Sequence, residues 1–317
     1  MVPQSPALLY YLSIPSALTQ EQTQFILQSL TMSDQPKAAL EYFDTLSTTY
    51  EASTGGCTRE LGRYLISIAP PFTADSKVLD NACGNGIIAQ EILIKNPNVP
   101  LSITCVDGAS AMVDLARHAV QARNGNSFAT LSFDVVPGEN LTFPDDEFTH
   151  SITNQGILFF KDGQKGAREI YRTLQPKGTA IITSWKSLGY IPLIHQAQKA
   201  VRPDDALFRI PISDDWYSTA HLEKTLAEAG FGNVQIHEKT VYYAAKSVGV
   251  MSGFLVKLFG QLVQGWSEEE TAQFAKELRK AAEKAVVKVQ RPVVGNEEEM
   301  EELVGVEMVA LVAVARK

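Results

Sequence analysis

Only three of the 317 residues are cysteines, Cys57, Cys83 and Cys105. Their odd number and wide spacing exclude a full disulfide framework and any Cys-x-x-Cys metal knuckle, so a reducing, cytoplasmic location is expected. Basic residues are also in short supply: 28 Lys and Arg face 36 Asp and Glu, and no Lys/Arg block stands out. Such a field repels phosphate backbones, and nucleic acid is not an expected partner. Long apolar runs are missing as well. Ala7 to Leu12 is too short to span a bilayer and follows no Lys or Arg, so neither a signal peptide nor an anchor is expected, and no membrane partner. No His/Asp/Glu cluster has ligand spacing, since Asp145, Asp146 and Glu147 read as a turn, and metal dependence is not expected.

With 45 % hydrophobic and 20 % charged residues, the composition is that of a globular protein long enough for one large α/β domain, with or without an inserted lid. Residues 1–36, rich in Ser, Gln, Thr and Pro, read as an N-terminal extension, and 37–317 as the domain. From residue 77 onward short apolar runs alternate with amphipathic stretches, the pattern of a mostly parallel sheet with helices on both faces. Strands are expected at Lys77–Asp80, Ser102–Val106, Thr130–Val135, His150–Thr153, Thr179–Ser184, Val234–His237 and Met308–Ala315. Helices are expected at Ile87–Lys95, Ala109–Arg123, Gln164–Leu174, Ile191–Val201 and Thr219–Ala229. Two regions break the alternation and read as helical, Lys37–Ile68 and Tyr242–Val289. In the second, Ser267-Glu268-Glu269-Glu270 is a capping-box pattern that starts a helix, and Met251–Val263 is strongly apolar. These helices (242–290) would form core packing, a dimer surface or a lid over an acceptor pocket, and a homodimer is one expectation. Glu297–Glu302 reads as a solvated linker.

The segment Gly84-Asn85-Gly86-Ile87-Ile88-Ala89 follows a strand and opens a helix, with Asp107 twenty-three residues after Gly84. That satisfies Gly-x-Gly-x-x-Gly/Ala, a pattern shared by nicotinamide or flavin dinucleotide sites and adenosyl sites. Asp80 discriminates between them. It ends the first strand at the floor of the loop, where a pyrophosphate would be repelled and a cationic ammonium or sulfonium attracted. Asp107, ending the second strand, is placed to accept hydrogen bonds from ribose hydroxyls of either cofactor. A nicotinamide-dependent enzyme is the alternative that the glycine pattern keeps open. A third reading is a protein that binds the cofactor without transferring a group.

Val78-Leu79-Asp80-Asn81-Ala82-Cys83-Gly84-Asn85-Gly86 resembles motif I of class I S-adenosylmethionine-dependent methyltransferases. Val106-Asp107-Gly108-Ala109-Ser110-Ala111-Met112 resembles their ribose-binding turn. Leu141–Phe148 is similar to the approach to their fourth strand, and Leu174-Gln175-Pro176-Lys177-Gly178-Thr179 to the turn before their fifth. The resemblance implies a Rossmann-like, seven-stranded, mostly parallel sheet with added helical lid segments, and S-adenosylmethionine as cofactor. It assigns cofactor contacts to Asp80, Asn81, Ala82, Cys83, Gly84, Asp107 and Gly108, with Met112 on the adenine, and places Asn154 and Gln155 on a loop facing the transferring methyl, where they contact the methionine end of the cofactor or the acceptor. Pro137-Gly138 departs from an Asp-Ala pair that in many relatives reaches the adenine, so Glu139 or Asn140 is expected to substitute. Lys177 stands where relatives have glycine. Outside this core, Thr183-Ser184-Trp185, Tyr190–Leu193 and Trp216 resemble fungal secondary-metabolite methyltransferases such as the gliotoxin thiomethyltransferase. Tyr50 and Thr54-Gly55 match a pair that in that group closes over the methionine moiety.

Methyl transfer is an in-line displacement at a sulfonium, in which the protein aligns the nucleophile and excludes water. A thiol acceptor needs little general base, whereas an alcohol needs real deprotonation. The expected acceptor is a largely apolar small molecule offering a thiol, hydroxyl or amine. Of five histidines, His118, His150 and His237 fall away from the crevice. His195 and His221 follow strand five, and His195 is the expected base if one is needed, a surface or capping role being the alternative for both. Phe159, Phe160, Trp185 and Trp216 are expected acceptor-pocket walls, with core packing as the alternative. Cys83 reads as a small apolar filler.

Overall fold

A computed structural model describes residues 53–123, 128–294 and 296–317. The expected 1–36 extension lies outside them. Eight strands form one sheet in the order β3-β2-β1-β4-β5-β8-β6, with β7 paired to β8 off that path. They are β1 Lys77–Asn81, β2 Ser102–Asp107, β3 Thr130–Val135, β4 Phe148–Thr153, β5 Leu174–Leu188, β6 Asn233–Ala245, β7 Val287–Val293 and β8 Asn296–Arg316. β1 to β5 pair in parallel, and β8 runs antiparallel to β5, β6 and β7. The strand order reverses between β1 and β4, so the crevice that receives ligands in doubly wound sheets opens outside their carboxyl ends.

The helices are α1 Cys57–Ile68, α2 Ile87–Lys95, α3 Ser110–Arg123, α4 Gly163–Thr173, α5 Tyr190–Val201, α6 Thr219–Ala229, α7 Val248–Leu258 and α8 Glu268–Ala285. Local chemistry sets their starts. Asp162 caps α4 by accepting the Lys165 N–H at 2.8 Å. At α8, Ser267 and Glu270 form the expected capping box: the Ser267 hydroxyl accepts from the Glu270 amide, and the Glu270 carboxylate from the Ser267 amide. Helix α2 is buried almost throughout, from Ile87 to Leu93, because it packs against both α1 and α3.

The alternation read from residue 77 onward matches these elements to within a few residues through β4. Farther on, three expectations need correction. β5, β6 and β8 are far longer than their apolar runs, because each is extended by pairing: Leu188 reaches Met308, and Ala245 reaches Val304. The stretch Tyr242–Val289 is not helical throughout, since Tyr242–Ala245 completes β6 and Val287 begins β7. The Glu-rich run is not a linker but the leading part of β8, in register with β7 through Gln290↔Glu302 and Arg291↔Glu301. Its charge is met across the strands, where Lys288 Nζ lies 3.0 Å from Glu302. The sheet thereby gains an eighth strand beyond the expected seven.

Candidate active site

Two loops meet at the point where strand order reverses, one after β1 and one after β4. Each carries a non-glycine residue in the left-handed region, Ala82 at φ 55° and Gln155 at φ 59°. Such conformations persist only where the surroundings enforce them, and they gather at functional sites. Here the enforcing element is close approach: a Cβ on Gly156 would lie 2.4 Å from the Ala82 Cβ, so only glycine lets the β4 loop pack on the β1 loop. Gln155 is further held by its amide, which donates to Thr183 Oγ1 at 2.8 Å, and by its Nε2, which donates to the Ser184 carbonyl.

Asp80 is buried below this junction, 1 % exposed, and among the described residues it has no ion-pair partner. One oxygen accepts the Ala89 N–H at 3.3 Å. Burial pushes its carboxyl up to about 7, against the opposing pull of that hydrogen bond and with a smaller push from Asp107. Asp107 joins the two turns: its oxygens accept from the Gly84 and Ala109 amides, both at 2.9 Å. Sequence reasoning gave Asp107 to a ligand's ribose alone and missed this second task of shaping the loop. Polar atoms without a hydrogen-bond partner cluster around the same junction: both amide atoms of Asn81, Asn85 Oδ1, Thr153 Oγ1 and Gln155 Oε1 are buried and unpaired. Native interiors leave few such groups, each costly to hold dry.

The other expected cofactor residues sit as follows. Cys83 is buried, with its amide donating to the Val106 carbonyl at 2.9 Å. Its thiol is held well above the ordinary range by a hydrogen bond to Cys105, by burial and by the neighbouring carboxylates, which leaves it protonated and unreactive. Met112 is buried on α3 and Gly108 is half-buried in the turn before it. Asn154 spans two elements, its Nδ2 donating to the Thr58 carbonyl at 3.0 Å and its Oδ1 accepting from Thr183. Thr54 lies in the turn leading to α1, its hydroxyl 3.3 Å from that of Thr58, and Tyr50 lies outside the described residues.

A cavity of about 940 Å³ opens between the loops after β3 and β4, the start of α4 and the 3-10 turn Asp214–Tyr217. Glu139, Asn140, Phe159, Phe160, Trp216 and His221 are among its lining residues. The Pro137-Gly138 departure has its reason here. A Cβ on Gly138 would stand 2.1 Å from the tip of the Phe160 ring, and one on Gly166 2.3 Å from its Cδ2 edge, so the ring is seated against two glycines. Trp216 packs on Gly163 in the same manner and edge-on to His221, with ring centroids 4.7 Å apart. Trp185 is buried on β5 and does not line this cavity, and neither does His195, whose Nε2 lies 2.8 Å from the Phe208 carbonyl. His221 is thus the histidine that the structure brings to the cavity. The other three stand apart from it, His237 bonded to the Tyr64 hydroxyl and His150 stacked near Phe72.

A family profile described as a methyltransferase domain matches residues 79–182, the span that holds every loop of the β1–β4 junction. Residues 79–182 form a methyltransferase domain. With this domain goes methyltransferase activity, with S-adenosylmethionine as the cofactor. A ubiquinone/menaquinone biosynthesis C-methyltransferase of Geotalea daltonii is 27 % identical over 66 % of this methyltransferase and 94 % of its own length. An acetylaranotin bis-thiomethyltransferase of Aspergillus terreus is 23 % identical over 63 % of this chain and 70 % of its own. Among solved structures, a Haemonchus contortus phosphoethanolamine N-methyltransferase in complex with phosphomonomethylethanolamine and S-adenosylhomocysteine shares the fold, with a TM-score of 0.50 at 15 % identity over 91 % of this chain and 60 % of that one. Among the described residues no helix is long and apolar enough to cross a membrane, and no group of three His, Cys, Asp or Glu is placed to hold a metal ion.

Proposed function

We propose that this methyltransferase transfers the methyl group of S-adenosylmethionine to a small, largely apolar acceptor of the secondary-metabolite kind. The observation that carries the reading is Asp80. A buried carboxylate with no cation opposite it among the described residues is an expensive feature for a fold to keep, and a cationic ligand at the adjoining loop offsets the cost of ionising it. The unpaired amide of Asn81 and the free Gln155 Oε1 fit the same group, which offers an ammonium, a carboxylate and two ribose hydroxyls to neighbours with both donor and acceptor capacity. Asp107, at the carboxyl end of β2 beside the Gly84 loop, stands where doubly wound folds place the acidic residue that meets a ribose.

When bound, the donor supplies an electrophilic methyl on a sulfonium. The chain's own residues bind it, orient the acceptor and keep water out. The cavity beside the β4 loop is of a size that takes small organic ligands, and Phe159, Phe160 and Trp216 give it aromatic walls. The likeness to a fungal thiomethyltransferase supports an acceptor of this class. A thiol acceptor asks for no base. For a hydroxyl, His221 on the cavity wall is the side chain in position, in place of His195.

Incubation with methyl-labelled donor and a panel of dithiol, phenol and amine acceptors tests the reading. Label should pass to at least one class, with demethylated donor formed in equal amount. His221→Gln should abolish transfer to a phenol while sparing a thiol. Donor binding with no transfer to any of the three would overturn the assignment, and absence of donor binding would overturn the site as well.

A further inference from the structure

Helix α2 buries an apolar face made of Ile87, Ile88, Ala89, Ile92 and Leu93, interrupted by Gln90 and Glu91, which are 4 % and 1 % exposed. A buried glutamine in such a face costs stability unless both ends of its amide are paired. Both are. Gln90 Nε2 donates to the Asn85 carbonyl at 2.9 Å, and Gln90 Oε1 accepts from Arg59 Nη2 of helix α1 at 3.1 Å. The reason that Asn85 needs this partner lies in Asp80. In a continued helix the Ala89 amide would bond to the Asn85 carbonyl, but it turns to Asp80 instead, and a carbonyl inside the Gly84–Gly86 loop is left for a side chain to satisfy.

We propose that Gln90 is a positioning residue for the cofactor loop, and that through Arg59 it makes the shape of the loop depend on the seating of helix α1. The proposal rests on the reading that this loop holds the methyl donor. Its far end is firmly fixed. Arg59, 2 % exposed, also donates to Glu91 Oε1 at 2.8 Å. Arg63 reaches the other Glu91 oxygen at 3.4 Å. The start of α1 is held in turn by Arg291 of β7, which donates to the Gly55 carbonyl at 2.8 Å and to Glu60 at 2.7 Å. Asn154 of the β4 loop bonds to the Thr58 carbonyl of the same helix. Helix α1 therefore touches both loops of the crevice through hydrogen bonds, one of them relayed by Gln90.

The test is Gln90→Glu, which keeps an acceptor for Arg59 but removes the donor to Asn85. Hydrogen exchange over residues 83–88 in donor-free protein should quicken about tenfold, the scale of one hydrogen bond, with the melting temperature held within a few degrees. Equilibrium dialysis should show donor affinity weakened by a similar factor, and the transfer rate at saturating donor should change little. Arg59→Lys, which retains a charge for Glu91 but loses the fork to Gln90, should quicken loop exchange in the same way and carries the test if Gln90→Glu does not fold. Wild-type exchange and wild-type affinity in a folded variant would overturn the proposal, since a residue that only packs α1 on α2 predicts that result. Failure of the unaltered protein to bind donor would overturn the reading of the site, while loop exchange would still decide what Gln90 does.

Discussion

Replacing Asp80 with asparagine separates what the carboxylate costs the empty protein from what it gives the loaded one. The side chain keeps its shape, and its Oδ1 can still accept from Ala89. Asp80 is held near 7 in the folded chain against an ordinary 3.8, so its contribution to stability is complete below pH 3.8 and is lost as the pH rises through 7. At about 1.4 kcal/mol per pH unit between the two values, the ionised carboxylate destabilises the empty fold by at most about 4 kcal/mol at pH 8. Asp80→Asn should therefore raise the melting temperature at pH 8 by up to roughly 5–10 °C, and leave it nearly unchanged at pH 4. Donor binding should move in the opposite direction. The unaltered protein must release the Asp80 proton to meet a cation, so affinity should rise about 25-fold between pH 5.5 and 7.5, a window below the titration of an α-ammonium. In Asp80→Asn that pH dependence should vanish and affinity should fall. Differential scanning fluorimetry and dialysis across pH measure both effects. A variant no more stable than the unaltered protein at pH 8, or one whose binding keeps the same pH slope, would refute the charge argument.

Gly138→Ala should cost about 1–3 kcal/mol by overpacking, because the new methyl would displace the Phe160 ring from its seat against Gly138 and Gly166. Denaturant unfolding measures the loss, and the displaced cavity wall should alter acceptor preference more than donor affinity. Lys177, at φ 69°, occupies a conformation that costs an L-residue roughly 1–2 kcal/mol. Lys177→Gly should recover part of that, net of the greater chain entropy of glycine, for a gain of about 0.5 kcal/mol by the same unfolding assay. Ser267→Ala removes half of the capping box and should cost about 1 kcal/mol, seen first as faster exchange in the opening turn of α8.

Where structure follows from neighbours in sequence, the sequence was readable. The strands β1 to β4 are short runs, with α2 and α3 separating the first three, the Ser267–Glu270 box announces α8, and the Asp80-to-Gly86 loop declares its chemistry through residue types alone. What escaped depends on partners far along the chain. Glu297–Glu302 is a charge run by every local measure, and becomes a strand because β7 lies beside it with Lys288, Gln290 and Arg291. Tyr242–Ala245 is strand because β8 is long enough to reach it. In the site, the left-handed turns at Ala82 and Gln155 come from one loop pressing on another, which no propensity encodes. His195 and His221 occupy equivalent places in the sequence, on helices after β5. Only the path of Asp214–Tyr217 across the cavity separates them. Gln90 offered one signal, a polar residue interrupting an apolar helical face.

The position of β8 in the sheet has a consequence for the order in which the molecule can be assembled. Among the described residues β6 has no strand partner except β8, and β8 also supplies the only partner of β7. A nascent chain emerging from the ribosome can join β1 through β5 as each arrives, but β6 must wait more than fifty residues with its edge unpaired until 296–316 are made. β8 therefore pairs at once with β5, already in place, and with β6 and β7, which have waited for it, and the interval before it is made is when this part of the growing chain is most open to chaperones and to aggregation.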